Sequence, residues 1–164
     1  MSTLWPKQSD LAGMRKTFGN PDANGDGAAD PAWVASHLTT IVPPYPLFYA
    51  GKRVKKITVN KAIAAAVLRA LNTVLKLFPD AKVRAKLGID QFDGCYNFRV
   101  KRGNPNSLSM HAYAAGLDFS AKRNPFHAKK SDLPAEFVKA FTDEGAVWLG
   151  PTLDPMHIQF ARTH

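Results

Sequence analysis

Apolar positions recur with a helical period over one long stretch: Ile63, Val67, Leu71, Val74, Leu75 and Phe78. Spaced mostly three and four apart, they line one face of a helix. Asn60 stands before the first of them as a candidate N-cap, and Pro79 follows the last and stops the helix. The pattern predicts a core helix over 60–78, lying behind a sheet. A second helical pattern covers about 134–144, with Phe137, Val138 and Phe141 inward, Ser131 or Asp132 as its cap and Gly145 at its end. Two shorter ones start at Asp10 and at Pro31, the latter running to Leu38 with Asp30 as its cap and proline in its first turn.

Strands are expected over Val54–Val59, Gln91–Val100 with an irregularity at Gly94, Leu117–Ser120, Ala146–Leu149 and His157–Phe160. Ile41–Tyr49 contains Pro43, Pro44 and Pro46, which bar it from the middle of a sheet. It reads as an extended surface segment. Lys101–Ser107 reads as a loop, and Asn124-Pro125 as a turn. No internal repeat or linker interrupts the chain.

Composition narrows the picture. A chain of 164 residues suits one domain. No apolar run is long enough to cross a bilayer. Met1–Asp10 is polar and lacks the apolar middle of a secretion signal. Cys95 is the only cysteine, which excludes an internal disulfide and any zinc site needing two cysteines. Lys and Arg total 22 against 13 Asp and Glu, a net charge of +9. That balance favours anionic partners, whether nucleic acid, phosphate-bearing wall polymers or an anionic membrane surface. Only Lys52–Lys56 is densely basic, and no aromatic-interleaved basic stripe is present, so nucleic acid is not the expected partner. A solvated basic face explains the scattered charge equally well.

Candidate chemistry lies in three places. Asp22, Asn24, Asp26 and Gly27 match the first half of a calcium loop, with Asp30 at its ninth position. Its twelfth position is Trp33 and not a bidentate Glu, so a plain Asx-rich turn competes with the calcium reading. The other two places are Ser109–Asp118 and Asp154–His157, each offering an imidazole and a carboxylate. A hydrolytic zinc site takes three protein ligands and keeps a fourth position for water. His111, Asp118 and His157 can supply the ligands, and Asp154 a carboxylate to take the water's proton. Spacing alone leaves this open: a lone histidine is ordinarily a surface or hydrogen-bonded residue, as His37, His127 and His164 are expected to be, and Asp154 before Pro155 can be a turn residue.

Ser109-x-His111-x6-Asp118 followed by Asp154-x-x-His157 resembles the zinc peptidases that include D-alanyl-D-alanine carboxypeptidases, D-Ala-D-Ala dipeptidases and phage L-alanyl-D-glutamate endolysins. Tyr96-Asn-Phe-Arg99, Trp148-Leu-Gly150 and Asp154-Pro-Met-His-Ile-Gln159 are similar to stretches of the endolysin branch. The resemblance covers roughly residues 54–161 and departs at two motif positions: the family's glycine is Ala114 and its alanine is Gly116. The family's usual Glu base is Asp154.

The resemblance implies an α+β fold in which a small antiparallel sheet, packed against helices, carries zinc. Residues 54–161 would be the catalytic core, and 1–53 an N-terminal extension packed on it. It implies a single-domain, monomeric peptidoglycan hydrolase cutting a stem-peptide bond, L-Ala–D-Glu first and D-Ala–D-Ala second. A zinc-containing binding domain without catalysis is the alternative of another class. Zinc would sit on His111, Asp118 and His157, Asp154 would be the base, and Arg99 would polarise the scissile carbonyl, though by sequence alone Arg99 reads first as a surface arginine. Ser109 is expected to support the ligands, Arg102 to meet a substrate carboxylate, and Tyr113 and Trp148 to line the cleft. A bacteriophage enzyme of this kind would stay in the host cytoplasm until released to the wall, or travel with the virion.

Overall fold

Helices and short antiparallel strands share residues 4–164, the part of the chain that the computed structural model describes. Met1–Thr3, the start of the stretch examined for a secretion signal, lie outside the described residues. The helices are α1 (Leu11–Phe18), α2 (Pro31–His37), α3 (Ala64–Leu77), α4 (Ala81–Leu87) and α5 (Ala135–Thr142). The strands are β1 (Leu38–Ile41), β2 (Leu47–Tyr49), β3 (Lys52–Val54), β4 (Ile57–Asn60), β5 (Phe92–Gly94), β6 (Val100–Lys101), β7 (Asn104–Leu108), β8 (Gly116–Phe119), β9 (Val147–Trp148) and β10 (His157–Gln159). The fold is therefore of mixed α+β class. The largest sheet has the order β5-β8-β10-β9 with every pair antiparallel. Three two-stranded ribbons, β1-β4, β2-β3 and β6-β7, surround it.

Side chains alternate across a strand, and this sheet uses the alternation fully. Leu117 and Phe119 of β8 and Ile158 of β10 join the core, where all three are wholly buried. Phe119 is its hub, with ring centroids 5.4 Å from Phe92, 5.1 Å from Phe137 and 5.4 Å from Phe141. Behind the sheet α3 packs on α5, burying Val67, Leu71 and Val74 against Phe137 and Phe141. Each such side chain contributes about 1.5–3 kcal/mol on leaving water. The core helix expected from the apolar period is thus present and correctly faced. No helix among the described residues is long and apolar enough to cross a membrane.

Several boundaries moved, each for a physical reason. Asn60 does not cap α3, which begins at Ala64 without a side-chain cap. It is instead buried, donating to the carbonyls of Phe18 (3.0 Å) and Tyr113 (3.1 Å) and accepting from Ala62 N (3.0 Å). Ser131 and Asp132 do not cap α5: Ser131 Oγ donates to Asn124 Oδ1, and the Asp132 carboxylate accepts from Asn124 Nδ2 and Arg123 Nε. Asp30 precedes α2 but spends its carboxylate on Ala23 N. Helix α1 starts just after Asp10, as expected, and Asp10 also caps it by accepting from Gly13 N. Ile41–Tyr49 is no surface segment: Ile41, Tyr45 and Leu47 enter the core. Val54–Val59 divides between β3 and β4, and Lys101–Ser107 is mostly the β6-β7 hairpin. Gln91–Val100 is strand only at its two ends, with the pairing register slipping near Gly94 (φ 137°). Helix α4 was not foreseen, although Asp80 caps it and Gly88 closes it in the left-handed region.

Trp5, Met14, Phe18, Ile41, Tyr45 and Leu47, all from the first 53 residues, belong to the same buried cluster as the sheet. β1 also pairs with β4.

Candidate metal centre

Asp118 and His157 are opposite residues in the β8-β10 ladder. They project from the face of the sheet that the core leaves free. His111 reaches them from a tight turn between β7 and β8. That turn is closed by Ala112 N to Ser109 O, Ala114 N to His111 O and Ala115 N to Met110 O. Ser109 supports it as expected, its buried hydroxyl accepting from His111 N at 3.3 Å.

The three side chains converge. His111 Nε2 lies 3.2 Å from Asp118 Oδ2, and His157 Nδ1 lies 2.9 Å from Asp118 Oδ1. The two rings meet edge to face, 4.9 Å apart. One donor atom from each residue falls within 4.8 Å of the others, close enough for a single ion to touch all three. Both histidines are about 5 % exposed.

Their outer nitrogens decide what the inner ones present. His111 Nδ1 lies 2.8 Å from the carbonyl of Cys95, which can only accept, so Nδ1 carries the proton. Gln159 Nε2 donates to Ala161 O (2.9 Å) and Gln8 Oε1 (3.2 Å), which turns Gln159 Oε1 toward His157 Nε2 at 3.2 Å. His157 is therefore protonated on Nε2. As neutral rings, both histidines aim lone pairs at one carboxylate. Lone pairs facing a carboxylate at these distances repel unless positive charge lies among them, so the site calls for added protons or a metal ion.

Titration follows the same geometry. Burial works against charge on His111, but the hydrogen bond and charge of Asp118, with the Cys95 carbonyl, raise its pKa above the usual imidazole value. Burial would raise Asp118 too, yet the hydrogen bonds from His111 and His157 hold it well below the ordinary carboxylate range.

Asp154 stands in the turn leading into β10, where His157 N donates to its carbonyl. Its Oδ1 is sealed from solvent and has no hydrogen-bond partner among the described residues. Burial raises its pKa, and the Asp118 charge adds to this, while His157 and Arg102 oppose it. Arg99 and Arg102 both line the cleft over the centre, a space of about 260 Å³ shared with His111, Asp118, Asp154 and His157. Arg102 lies over the Phe126 ring at 4.9 Å.

No family model, curated protein or solved structure matches this chain. The chemistry of the centre therefore rests on its own residues.

Two expected cleft residues lie elsewhere. Trp148 is off the cleft wall: its indole donates to Pro155 O at 2.8 Å and its ring covers Gly150, so it braces the turn that carries Asp154. Tyr113 is buried against Phe18 and lines a neighbouring groove. His37 stacks on Trp33, His127 lies tilted against Phe126, and neither joins the centre. In the Asx-rich turn, the carboxylates of Asp22, Asp26 and Asp30 come within 4.8 Å of one another, and Asn24 is exposed. Asp26 accepts from Ala28 N, two residues on, as in an Asx turn, while Asp22 accepts from Gly27 N and Asp30 from Ala23 N across the loop. Trp33, at the position of the twelfth ligand, is buried with its indole on Phe18 O.

Sequence reasoning missed Gln159, Gln8 and the Cys95 carbonyl. The signal for Gln159 was available: two residues along a strand from His157, it shares that residue's face. The exchanged motif positions also gain a meaning. Ala114 adopts φ 53°, where glycine is preferred, while a Cβ at Gly116 would lie 2.7 Å from His157 Cε1 and 3.2 Å from Met110 Cβ. Glycine stands where the ligand ring needs the space.

Proposed function

We propose that this chain is a zinc-dependent peptidase acting on peptidoglycan stem peptides. The observation that carries the reading is the convergence of His111 Nε2, Asp118 and His157 Nδ1 beside the unpartnered, buried oxygen of Asp154. Two imidazole nitrogens and a carboxylate oxygen are a donor set that zinc accepts. A structural zinc site is closed by four protein ligands, whereas this cluster offers three, leaving a position open for catalysis. Zinc held there supplies a Lewis acid and a water of lowered pKa.

The chain's own residues supply the rest. The Cys95 carbonyl and Gln159 fix the rings so that the inner nitrogens stay available. Asp154 takes the proton of the attacking water and returns it to the leaving nitrogen; a carboxyl with a raised pKa suits both acts. Arg99 and Arg102 place positive charge over the cleft, where a carbonyl oxygen gains negative charge during attack. Net charge of +9 favours approach to an anionic envelope.

The choice of wall peptide and of the L-Ala–D-Glu bond rests on the motif resemblance, as do the hedgehog/D-Ala-D-Ala peptidase-like fold and release from a phage-infected host. Digestion of purified peptidoglycan by the zinc-loaded protein, followed by mass spectrometry, tests the reading. New N-terminal D-Glu is expected, abolished by EDTA and restored by zinc. Released D-Ala would make the chain a carboxypeptidase, and intact peptides with zinc bound would make it a binding domain.

A further inference from the structure

A groove of about 660 Å³ runs between α1 and the β6-β7 hairpin. It shares Gln8, Arg99 and Lys101 with the cleft over the metal centre, so the two form one continuous trough. This volume lies within the range of pockets that enclose most of a ligand of several hundred daltons. Its lining is not that of a solvated basic face. Met14 and Tyr113 contribute buried apolar surface, while Arg15, Arg99 and Lys101 bring cationic groups to the same concavity. None of these three cations takes part in a salt bridge among the described residues. Arg99 Nη1 reaches only the carbonyl of Val100, at 3.4 Å. Asp22, the one acid on the lining, accepts nothing from them and accepts from Gly27 N. Unpaired cations along a groove of mixed polar and apolar lining fit a ligand that is itself chain-like and carboxylate-bearing.

We propose that this groove holds the carboxylate-bearing arm of the ligand whose scissile bond lies over His111, Asp118 and His157, with Arg15 and Lys101 recognising the carboxylate. The inference rests on the peptidase reading and adds where the rest of the substrate goes. It also separates two kinds of positive charge in the chain. The Lys52–Lys56 run lies on and after the exposed β3 strand, away from both cavities, and serves general attraction. Arg15 and Lys101 serve recognition.

The test uses the full-length zinc-loaded protein and two synthetic stem peptides, one with free carboxylates and one with the same carboxylates amidated. KM for the free acid is expected to be about tenfold lower than for the amide, as one charge-assisted contact provides. Arg15→Gln and Lys101→Gln should each shrink that ratio, and together bring it close to one. Arg15 is exposed, so its loss should leave the fold intact, and circular dichroism checks this. Equal KM for acid and amide in the unaltered protein, or a ratio that survives both substitutions, overturns the assignment while leaving the peptidase reading in place. Hydrolysis of neither peptide overturns both.

Discussion

Asp118 Oδ1 and His157 Nδ1 face each other at 2.9 Å across the β8-β10 ladder, while Asp118 Oδ2 receives His111 from a turn. One carboxylate thus bridges two rings whose outer nitrogens are already committed. Metal binding should depend on all three. Replacing His111 or His157 by Ala, or Asp118 by Asn, is expected to reduce bound zinc from one per chain to near zero by elemental analysis. Zinc should also raise the melting temperature of the unaltered protein, because a ligand that binds only the folded state stabilises it.

That binding should weaken with acid. The folded pKa of His111 is raised, so below that value its metal-facing nitrogen carries a proton. Zinc must displace it. Affinity measured by competition with a chelator should therefore fall as pH drops, beginning above the usual imidazole value. A flat profile from neutral to mildly acidic pH would contradict the lone-pair arrangement.

Gln159 acts on the metal only through His157. Gln159→Leu keeps the bulk but leaves His157 Nε2 without its acceptor, freeing the ring to turn or to change tautomer. Loss of such an outer partner typically costs 10–100-fold in metal affinity, about 1.4–2.7 kcal/mol. Zinc titration of the variant checks this, and an unchanged affinity would reduce Gln159 to a packing residue.

Asp154→Asn should retain zinc and lose hydrolysis, since an amide cannot take the water's proton. In the unaltered protein the ionised carboxylate would be the working form. Its pKa is raised, so activity should disappear as pH falls through a value above the ordinary carboxylate range. Hydrolysis that persists in the Asn variant would remove Asp154 from its role.

The exchanged motif residues make different predictions. Gly116→Ala forces a Cβ to 2.7 Å from His157 Cε1, so it should lower both zinc affinity and melting temperature. Ala114→Gly relieves a positive φ, worth about 1–2 kcal/mol, but loses a buried methyl, worth about 0.8 kcal/mol, and loosens the unfolded chain, worth about 0.4–1 kcal/mol. Gain and losses nearly offset, and thermal unfolding should change little. If Gly116→Ala binds zinc as well as the parent, the space argument fails.

What the sequence determined was whatever depends on near neighbours. The 3.6-residue period placed the inward face of α3, because the positions of Val67, Leu71 and Val74 follow from helix geometry alone. Pro79 could be assigned as the stop of α3 because a proline acts on its immediate chain neighbours. The ligand set was legible only as two motifs and a resemblance. Tertiary structure decided everything that joins distant segments. Asn60 looks like a cap, yet its amide serves the carbonyls of Phe18 and Tyr113, 42 and 53 residues away. Trp148 looks like a cleft wall, yet it braces a turn. The proton positions on His111 and His157 depend on Cys95 and Gln159, and the latter on Gln8, 151 residues away in sequence. A hydrogen bond has no memory of chain order. Only folding could bring those atoms within 3 Å or so of each other and make of two histidines and an aspartate one group that could hold a metal ion.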